Sequence, residues 1–175
     1  MAKRMMFGAL AVLLAGCSAQ ETPAEPAAST APDQAAGQAE ALLARTPLAG
    51  SWEQIGDGAI TSAQFKAPGA PDGAQNEINI GCNNGSARAF LNWTFAEPTT
   101  NGELRVHTAA GTIVFAAEAY NFENTHMLSV EVDGGDARLA GLKMPQPSLA
   151  FEGLGQAIVL PWDPKIAGEL SACAG

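Results

Sequence analysis

Residues 87–95 read ARAFLNWTF and carry the clearest strand pattern of the chain. The alternate positions of one face are apolar: Ala89, Leu91, Trp93 and Phe95. The other face includes Arg88, Asn92 and Thr94. Such alternation is typical of a β-strand with one buried and one solvated face. Just before it, Asn83-Asn84-Gly85 favours a hairpin, because Asn and Gly accept positive φ in tight turns. The stretch therefore predicts an antiparallel sheet.

A similar alternating pattern continues along the sequence on both sides of this strand. Short alternating segments recur at roughly ten-residue spacing, with turns of Gly, Pro and Asn between them. Further strands are predicted at residues 51–55, 59–65, 77–80, 103–108, 112–117, 127–132, 148–151 and 156–160. Many short strands separated by turn signals predict a mainly β fold, an antiparallel sandwich or open barrel.

The C-terminal region carries the strongest helix signal. Asp163 is a good N-cap and Pro164 suits the first helical position. Ile166, Ala167 and Leu170 would share one face. A short C-terminal helix is therefore predicted from about Pro164 to Ala172, lying on the sheet. A helical turn is also predicted over residues 137–142.

The N-terminal leader determines where the protein is expected to reside. Lys3 and Arg4 precede an apolar run of about ten residues, too short to span a bilayer but suited to a secretory signal. The run ends in Leu14-Ala15-Gly16-Cys17, which resembles the lipobox of bacterial lipoproteins. This resemblance implies cleavage before Cys17, a diacylglycerol on its sulfur and an acylated new N-terminus. The alternative is an ordinary signal peptide that leaves Cys17 buried or in a disulfide.

The leader and the composition of the rest of the sequence divide the chain into three segments. We predict a lipoprotein signal peptide at residues 1–16, a lipid-anchored Ala/Pro-rich tether at 17–46, and a β-rich periplasmic domain at 47–175. The tether has too few apolar residues to offset the entropy of ordering it. Within it, residues 34–45 could form a helical turn or two, with Leu42 and Leu43 touching the domain. Ser18 follows the lipidated position, which in Gram-negative sorting predicts the outer membrane.

Charge restricts the classes of partner. The formal net charge is −9, and loss of Lys3 and Arg4 with the leader makes it −11. Phosphate backbones and anionic head groups repel such a chain, so nucleic-acid binding is excluded. The expected contact with the membrane is through the N-terminal acyl chains alone, and an envelope protein or peptidoglycan is the candidate partner.

Cys82 and Cys173 are the two cysteines that remain if Cys17 is lipidated. In an oxidising periplasm we expect them to form a disulfide. The alternative is a catalytic or metal-binding thiol, for which the chain has no Cys-x-x-Cys motif.

No motif predicts catalysis, a metal or another cofactor. His107 and His126 lie in polar contexts, and strand alternation is expected to point both toward solvent. We therefore expect no buried, converging set of nucleophile, base and orienting group. Asp133-Gly134-Gly135-Asp136 lacks the alternating carboxylates of a calcium loop and is predicted to be a turn. Glu118 and Glu123 near Tyr120 could line a glycosidase-like cleft only if the fold brings them together.

The tryptophans are predicted mainly to be core residues. Trp162, between Pro161 and Asp163, is also a candidate surface aromatic. Trp162 and Tyr120 are thus the candidate ligand or partner surface.

Two resemblances concern the domain itself. Ile80-Gly81-Cys82, Leu104-Arg105-Val106, residues 158–161 and Leu170-Ser171-Ala172-Cys173 resemble a group of small alphaproteobacterial envelope proteins that has no assigned activity. Leu48-Ala49-Gly50-Ser51-Trp52 and Gly81-Cys82-Asn83 are more weakly similar to META-domain lipoproteins. The later Thr-rich cysteine segment of that family is absent from the chain.

Three functional hypotheses are carried forward. The first is a non-enzymatic, lipid-anchored binding or envelope-maintenance module. The second is a periplasmic inhibitor of a lysozyme or protease, acting through residues 67–74 or 121–126. The third is a hydrolase of cell-wall glycan, supported only by the abundance of carboxylates.

Overall fold

The computed structural model describes residues 31–71 and 74–174. Cys17, the lipobox and the first part of the predicted tether lie outside the described residues. Nine antiparallel strands form one sheet: β1 (Ser51–Gly56), β2 (Ile60–Lys66), β3 (Ile78–Asn83), β4 (Arg88–Phe95), β5 (Gly102–Thr108), β6 (Gly111–Phe122), β7 (Thr125–Asp133), β8 (Ser148–Gly153) and β9 (Gln156–Pro161). The predicted mainly β fold with a short C-terminal helix is confirmed.

The sheet curls into a nearly closed barrel, so that its two edges approach each other. Its strand order is β1-β2-β3-β4-β7-β6-β5-β8-β9, so the β6–β7 hairpin lies between β4 and β5. The first half of β6 pairs with β5 and the second half with β7. At the edges, the Leu48 amide donates to the Val159 carbonyl (2.8 Å), and Trp52 Nε1 donates to the Pro161 carbonyl (2.7 Å). These bonds satisfy edge groups that would otherwise be open to pairing with another chain.

The stretch that predicted the sheet is a central strand of it. The inward residues of β4 are all buried, and the rings of Trp93 and Phe95 pack 4.6 Å apart. The hairpin before β4 is also present, but its loop is residues 84–87, and the positive φ falls at Ala87 (51°) instead of at Asn-Gly. The register Asn83↔Arg88 requires that longer loop.

Helices and a disulfide close one end of the curled sheet. A 3₁₀ turn (Ala137–Leu139) leads into α2 (Ala140–Lys143), which packs with α3 (Pro164–Ala172). Asp163 caps α3 by accepting from the Lys165 amide at 2.9 Å. Cys173 at the end of α3 forms a disulfide with Cys82 of β3, with a Cα–Cα distance of 5.3 Å. The predicted disulfide is confirmed, and that distance lies within the usual range.

A longer helix than predicted precedes the sheet. Helix α1 (Ala31–Leu43) lies within the segment predicted as tether and packs on the outer face of β5, β6, β8 and β9. An isolated helix of this length is marginal in water, so its contacts with the sheet stabilise it. Within the described residues, no helix combines the length and hydropathy needed to cross a bilayer.

Candidate functional site

The outer side of the sheet has two regions of different character. The first is the face covered by α1, where Ala150 of β8 and Val159 of β9 are buried although both point away from the core. Two cavities, of about 570 and 430 Å³, lie on either side of α1. Both are within the size range of small-molecule sites.

His107 lies in this covered face and overturns the prediction that it is solvated. Only 4% of it is exposed. Its Nδ1 is 2.8 Å from Thr112 Oγ1 and its Nε2 is 3.2 Å from Glu152 Oε2. Strand alternation does place His107 on the outer face, but α1 and its neighbours cover that face.

His126 was also predicted to face solvent, and it does not. It is opposite Phe95 in the register of β4 and β7 and so shares the inward face. The residue is partly buried, and its Nδ1 is buried without a hydrogen-bond partner. The strand β7 begins at Thr125, two residues earlier than predicted, which brings His126 into the sheet.

The three residues around His107 form a hydroxyl–imidazole–carboxylate chain. Such a set was not expected, because Thr112, His107 and Glu152 come together only through the pairing of β6, β5 and β8. Thr112 is exposed and lines the larger cavity together with Glu40 of α1. A hydroxyl activated by a base also requires donors for the developing oxyanion. In the adjacent turn the amides of Ala109 and Ala110 are already bonded to Gln146 Oε1 and Thr108 Oγ1.

The second region is the outer face of β4, β7 and the second half of β6, over which no helix of the described residues packs. Here a depression of about 210 Å³, the acidic depression, is lined by Arg88, Ala116, Glu118, Tyr120, Ser129 and Glu131. Phe122, two residues beyond Tyr120 on the same face of β6, is 68% exposed near the tip of the β6–β7 hairpin. We call the acidic depression together with Phe122 the hairpin surface. Tyr120 itself is 43% exposed.

The charges in the acidic depression favour the neutral form of the Tyr120 side chain. The Tyr120 hydroxyl donates to Glu118 Oε2 at 3.2 Å. This hydrogen bond and the charge of Glu118 raise the pKa of Tyr120 above its ordinary value, with a further contribution from Glu131. Arg88 Nη2 donates to the main-chain carbonyl of Glu131 at 3.2 Å. The guanidinium is therefore bonded to the backbone of Glu131.

A row of polar side chains runs across the sheet into this depression. Cross-strand register places these residues side by side: Gln64, Asn79, Asn92, Ser129 and Glu118. At one end, the buried carboxylate of Glu77 accepts from Gln64 Nε2 (2.8 Å) and Asn79 Nδ2 (3.2 Å). The Oδ1 atoms of Asn79 and Asn92 are buried and have no hydrogen-bond partner. Alternation along a single strand marks such residues as outward, but the row itself depends on the register of five strands.

The remaining candidate residues, the tryptophans and Glu123, do not contribute to either of these two regions. Trp52 and Trp93 are buried, whereas Trp162 is partly buried and donates from Nε1 to the Leu142 carbonyl at 2.9 Å. Its polar atom is thus already used inside the fold. Glu123 is in the turn of the β6–β7 hairpin and does not join Glu118 in the depression.

In the acidic turn after β7, the carboxylates of Asp133 and Asp136 bond to groups two residues further along the chain. Asp133 Oδ1 accepts from the Gly135 amide at 2.8 Å, and Asp136 pairs with Arg138 at 2.6 Å. That pairing lowers the pKa of Asp136 from its ordinary value, through hydrogen bonds from Arg138. Among the described residues, no group of three or more His, Cys, Asp and Glu is arranged to hold a metal ion.

Comparison with known proteins adds no assignment. No family model, no curated protein and no solved structure matches the chain.

Proposed function

We propose that this protein is a lipid-anchored cell-envelope protein of the outer membrane whose β domain binds an envelope partner without catalysis. The observation that carries the binding function is the exposed Phe122, next to Tyr120 and the acidic depression. Single exposed apolar residues are ordinary on protein surfaces. An exposed aromatic pair beside a polar concavity is, by contrast, the composition that protein interfaces favour.

The anchor rests on the lipobox sequence and has its own test. Wild-type protein should incorporate labelled palmitate and sediment with outer-membrane fractions in a density gradient. The Cys17→Ser variant should lose both label and membrane association, while Ser18→Ala, a matched neighbour, should keep the label. Membrane association of unlabelled wild type, retained in Cys17→Ser, would contradict the anchor.

The binding function is tested by placing a photo-crosslinking amino acid at single surface positions in cells. At Phe122 we expect one discrete crosslinked species, which should be absent when the same group replaces Met144. Met144 is a suitable control because it is 47% exposed and lies outside the hairpin surface. Sedimentation with purified sacculi, with and without Phe122→Ala, tests peptidoglycan as the partner. Absence of crosslinks at Phe122 and of binding to sacculi would contradict the proposal.

Inhibition of a lysozyme or protease is the more specific form of the same function. It is favoured by the position of residues 121–126, which form the tip of the β6–β7 hairpin and include the exposed Phe122. The other loop proposed for this role, residues 67–74, lies only partly within the described residues. Purified protein should then lower the rate of cell-wall lysis by a lysozyme, or of casein cleavage by a protease, and Phe122→Ala should abolish the effect.

A second candidate function is hydrolysis at Thr112, since His107 could accept its proton and Glu152 could orient the imidazole. This candidate predicts turnover of an activated ester such as p-nitrophenyl acetate. Thr112→Val and His107→Gln should each remove the activity, while Thr125→Val, in another hairpin, should retain it. Equal background rates in all four proteins would eliminate it.

A further inference from the structure

The bonds between the two edges of the sheet stop before the end of β1. They join Leu48 and Trp52 to Val159 and Pro161, and β9 ends at Pro161. Beyond that point the last four residues of β1, 53–56, are all exposed. Within the described part of the chain, their only strand partner is β2. We call residues 53–56 the open edge.

The hydrogen-bond pattern of the sheet identifies the main-chain groups that face outward from the open edge. The Asn84 amide donates to the Ala59 carbonyl (2.9 Å), in continuation of the β2–β3 register. Main-chain groups alternate in direction along a strand, so odd-numbered residues of β2 face β3 and even-numbered ones face β1. Their register partners in β1 are the odd-numbered residues. The N–H and C=O groups of Gln54 and Gly56 therefore face away from β2, on the side where no described strand lies.

We propose that the open edge binds an extended segment of a protein partner, which adds to the sheet as an antiparallel strand beside β1. Unpaired edge groups are a template for such pairing, and strand addition is a recurring mode of peptide recognition. The Gln54 side chain donates to Glu169 of α3 at 2.7 Å, which holds the open edge in place for pairing. The open edge lies on another strand than the hairpin surface, so this inference is independent of the function proposed there.

The residue between the two outward-facing positions determines the centre of the partner segment. Gln54 and Gly56 would each exchange two hydrogen bonds with one partner residue, and the partner residue between those two then lies opposite Ile55. Ile55 is exposed on the outer face of β1. Directly opposed apolar side chains stabilise an antiparallel pair, so the central residue should be apolar and β-branched.

Charge determines the flanks of the partner segment. Glu53 precedes Ile55 by two positions on the same face, and Asp57 follows β1 directly; both are exposed. None of the ion pairs found among the described residues includes either carboxylate. Basic residues two positions before and after the central residue would lie opposite these carboxylates, and opposite charges in such positions are favourable.

The same carboxylates disfavour a second copy of this chain as the occupant. If two copies paired with Ile55 opposite Ile55, Glu53 of each chain would lie opposite Asp57 of the other. Like charges in directly opposed positions are destabilising. Each chain also carries a formal net charge of −9, which adds to the repulsion.

The first test is NMR titration of the purified full chain with the peptide acetyl-Thr-Lys-Thr-Val-Thr-Lys-Thr-amide. Binding should move the amide signals of Gln54 and Gly56 downfield and slow their exchange with solvent, because both amides gain acceptors. N-methylation of the Thr that follows Val removes an N–H aimed at β1 and should weaken binding at least about tenfold. N-methylation of Val, whose N–H points away from β1, should change binding less than about twofold. Equal losses from the two methylations, or no change at Gln54 and Gly56, would overturn the proposal.

A substitution on the open edge tests the central contact. Ile55→Lys removes the apolar partner of Val and adds a charge that repels the peptide, so binding should fall at least about tenfold. Val114→Lys is the matched control, because Val114 is an exposed residue of β6 and the change in charge is the same. It should change binding less than about twofold. Equal losses in the two variants would show general repulsion instead of docking at β1 and would contradict the proposal.

A charge variant tests the flanks. Glu53→Gln/Asp57→Asn should weaken binding of the peptide about fivefold, since two exposed ion pairs are lost. Glu97→Gln/Glu123→Gln removes the same charge from exposed positions outside the open edge and should change binding less than about twofold. If both variants lose affinity equally, the peptide is attracted to the polyanion as a whole and the basic pattern of the partner is wrong.

Sedimentation velocity of the wild type tests the second copy as occupant. We expect a monomer in the absence of peptide. A dimer that Ile55→Lys dissociates and Val114→Lys leaves intact would assign the open edge to a second copy of this chain and overturn the proposal.

Discussion

The two regions of the outer sheet face differ in what covers them. Under α1, His107, Ala150 and Val159 are buried although strand alternation points them outward. On the hairpin surface, Tyr120 and Phe122 point outward from the same sheet and stay exposed. Alternation thus divides residues between two sides of a sheet, and only a segment from elsewhere in the chain decides whether the outer side meets water. Within residues 31–71 and 74–174 no helix packs over the hairpin surface, and this is the region that we propose binds a partner.

The largest expected effect concerns the framework that both regions share. Replacing Cys82 and Cys173 by Ala removes a crosslink that spans 91 residues in sequence. In the chain-entropy model such a crosslink is worth roughly 4–5 kcal/mol. We expect urea denaturation to detect a loss of that order, with Phe122 crosslinking retained under native conditions. The reductant-treated wild type should match the variant, and an unchanged urea midpoint in both would contradict the structural role of the disulfide.

The covered face should be sensitive to loss of apolar contacts from α1. Leu42 and Leu43 are half-buried, so Leu42→Ala/Leu43→Ala should cost about 1–3 kcal/mol of unfolding free energy. Amide hydrogen exchange should also rise in β8, on which α1 lies. Leu48→Ala is the control, because Leu48 is 41% exposed. If Leu42→Ala/Leu43→Ala and Leu48→Ala had the same unfolding free energy, the apolar contacts of α1 would not stabilise the covered face.

The hairpin surface should show the opposite behaviour. Tyr120→Ala/Phe122→Ala removes two exposed rings, and we expect the unfolding free energy to change by no more than about 0.5 kcal/mol. Partner crosslinking, measured from an adjacent position in the hairpin, should nevertheless fall at least about tenfold. A large loss of stability would mean that these rings serve the fold, and the contrast between the two regions would disappear.

The smallest effect is a titration of the acidic depression. Tyr120 is the only tyrosine of the chain, so phenolate absorbance reports it alone. Glu118→Gln should lower the pKa of Tyr120 toward its ordinary value, because the carboxylate that disfavours the phenolate is gone. Glu123→Gln, in the hairpin turn, should leave it unchanged. Since the pKa is higher in the folded state, the associated stability is lost as pH rises through the folded-state value.

Sequence patterns predicted much of the framework because the relevant signals are local. Alternation identified β4, and the N-cap Asp163 with Pro164 marked the start of α3. The pairing of Cys82 with Cys173 followed from the cysteine count and from the expectation of an oxidising compartment. The same patterns placed β6 at residues 112–117, although it continues to Phe122. Those extra residues pair with β7, and no local signal specifies that partner.

Both candidate sites depend on long-range register. His107 meets Thr112 and Glu152 through pairing with β6 and β8, and α1 then covers it. The polar row that ends at Glu118 needs five strands in fixed alignment. Neither arrangement produces a motif of fixed spacing in the sequence, because each strand contributes only one residue to it.

By itself, the sequence determined the mainly β class, the C-terminal helix and the disulfide that ties it to β3, because periodicity, capping and cysteine count act over short distances or few partners. The tertiary structure decided the strand order, the covering of His107 by α1, and the exposure of Tyr120 and Phe122 beside Glu118. These features arise from contacts between segments far apart in the chain. The free energy of such contacts depends on which faces are brought together, and no single segment contains that information.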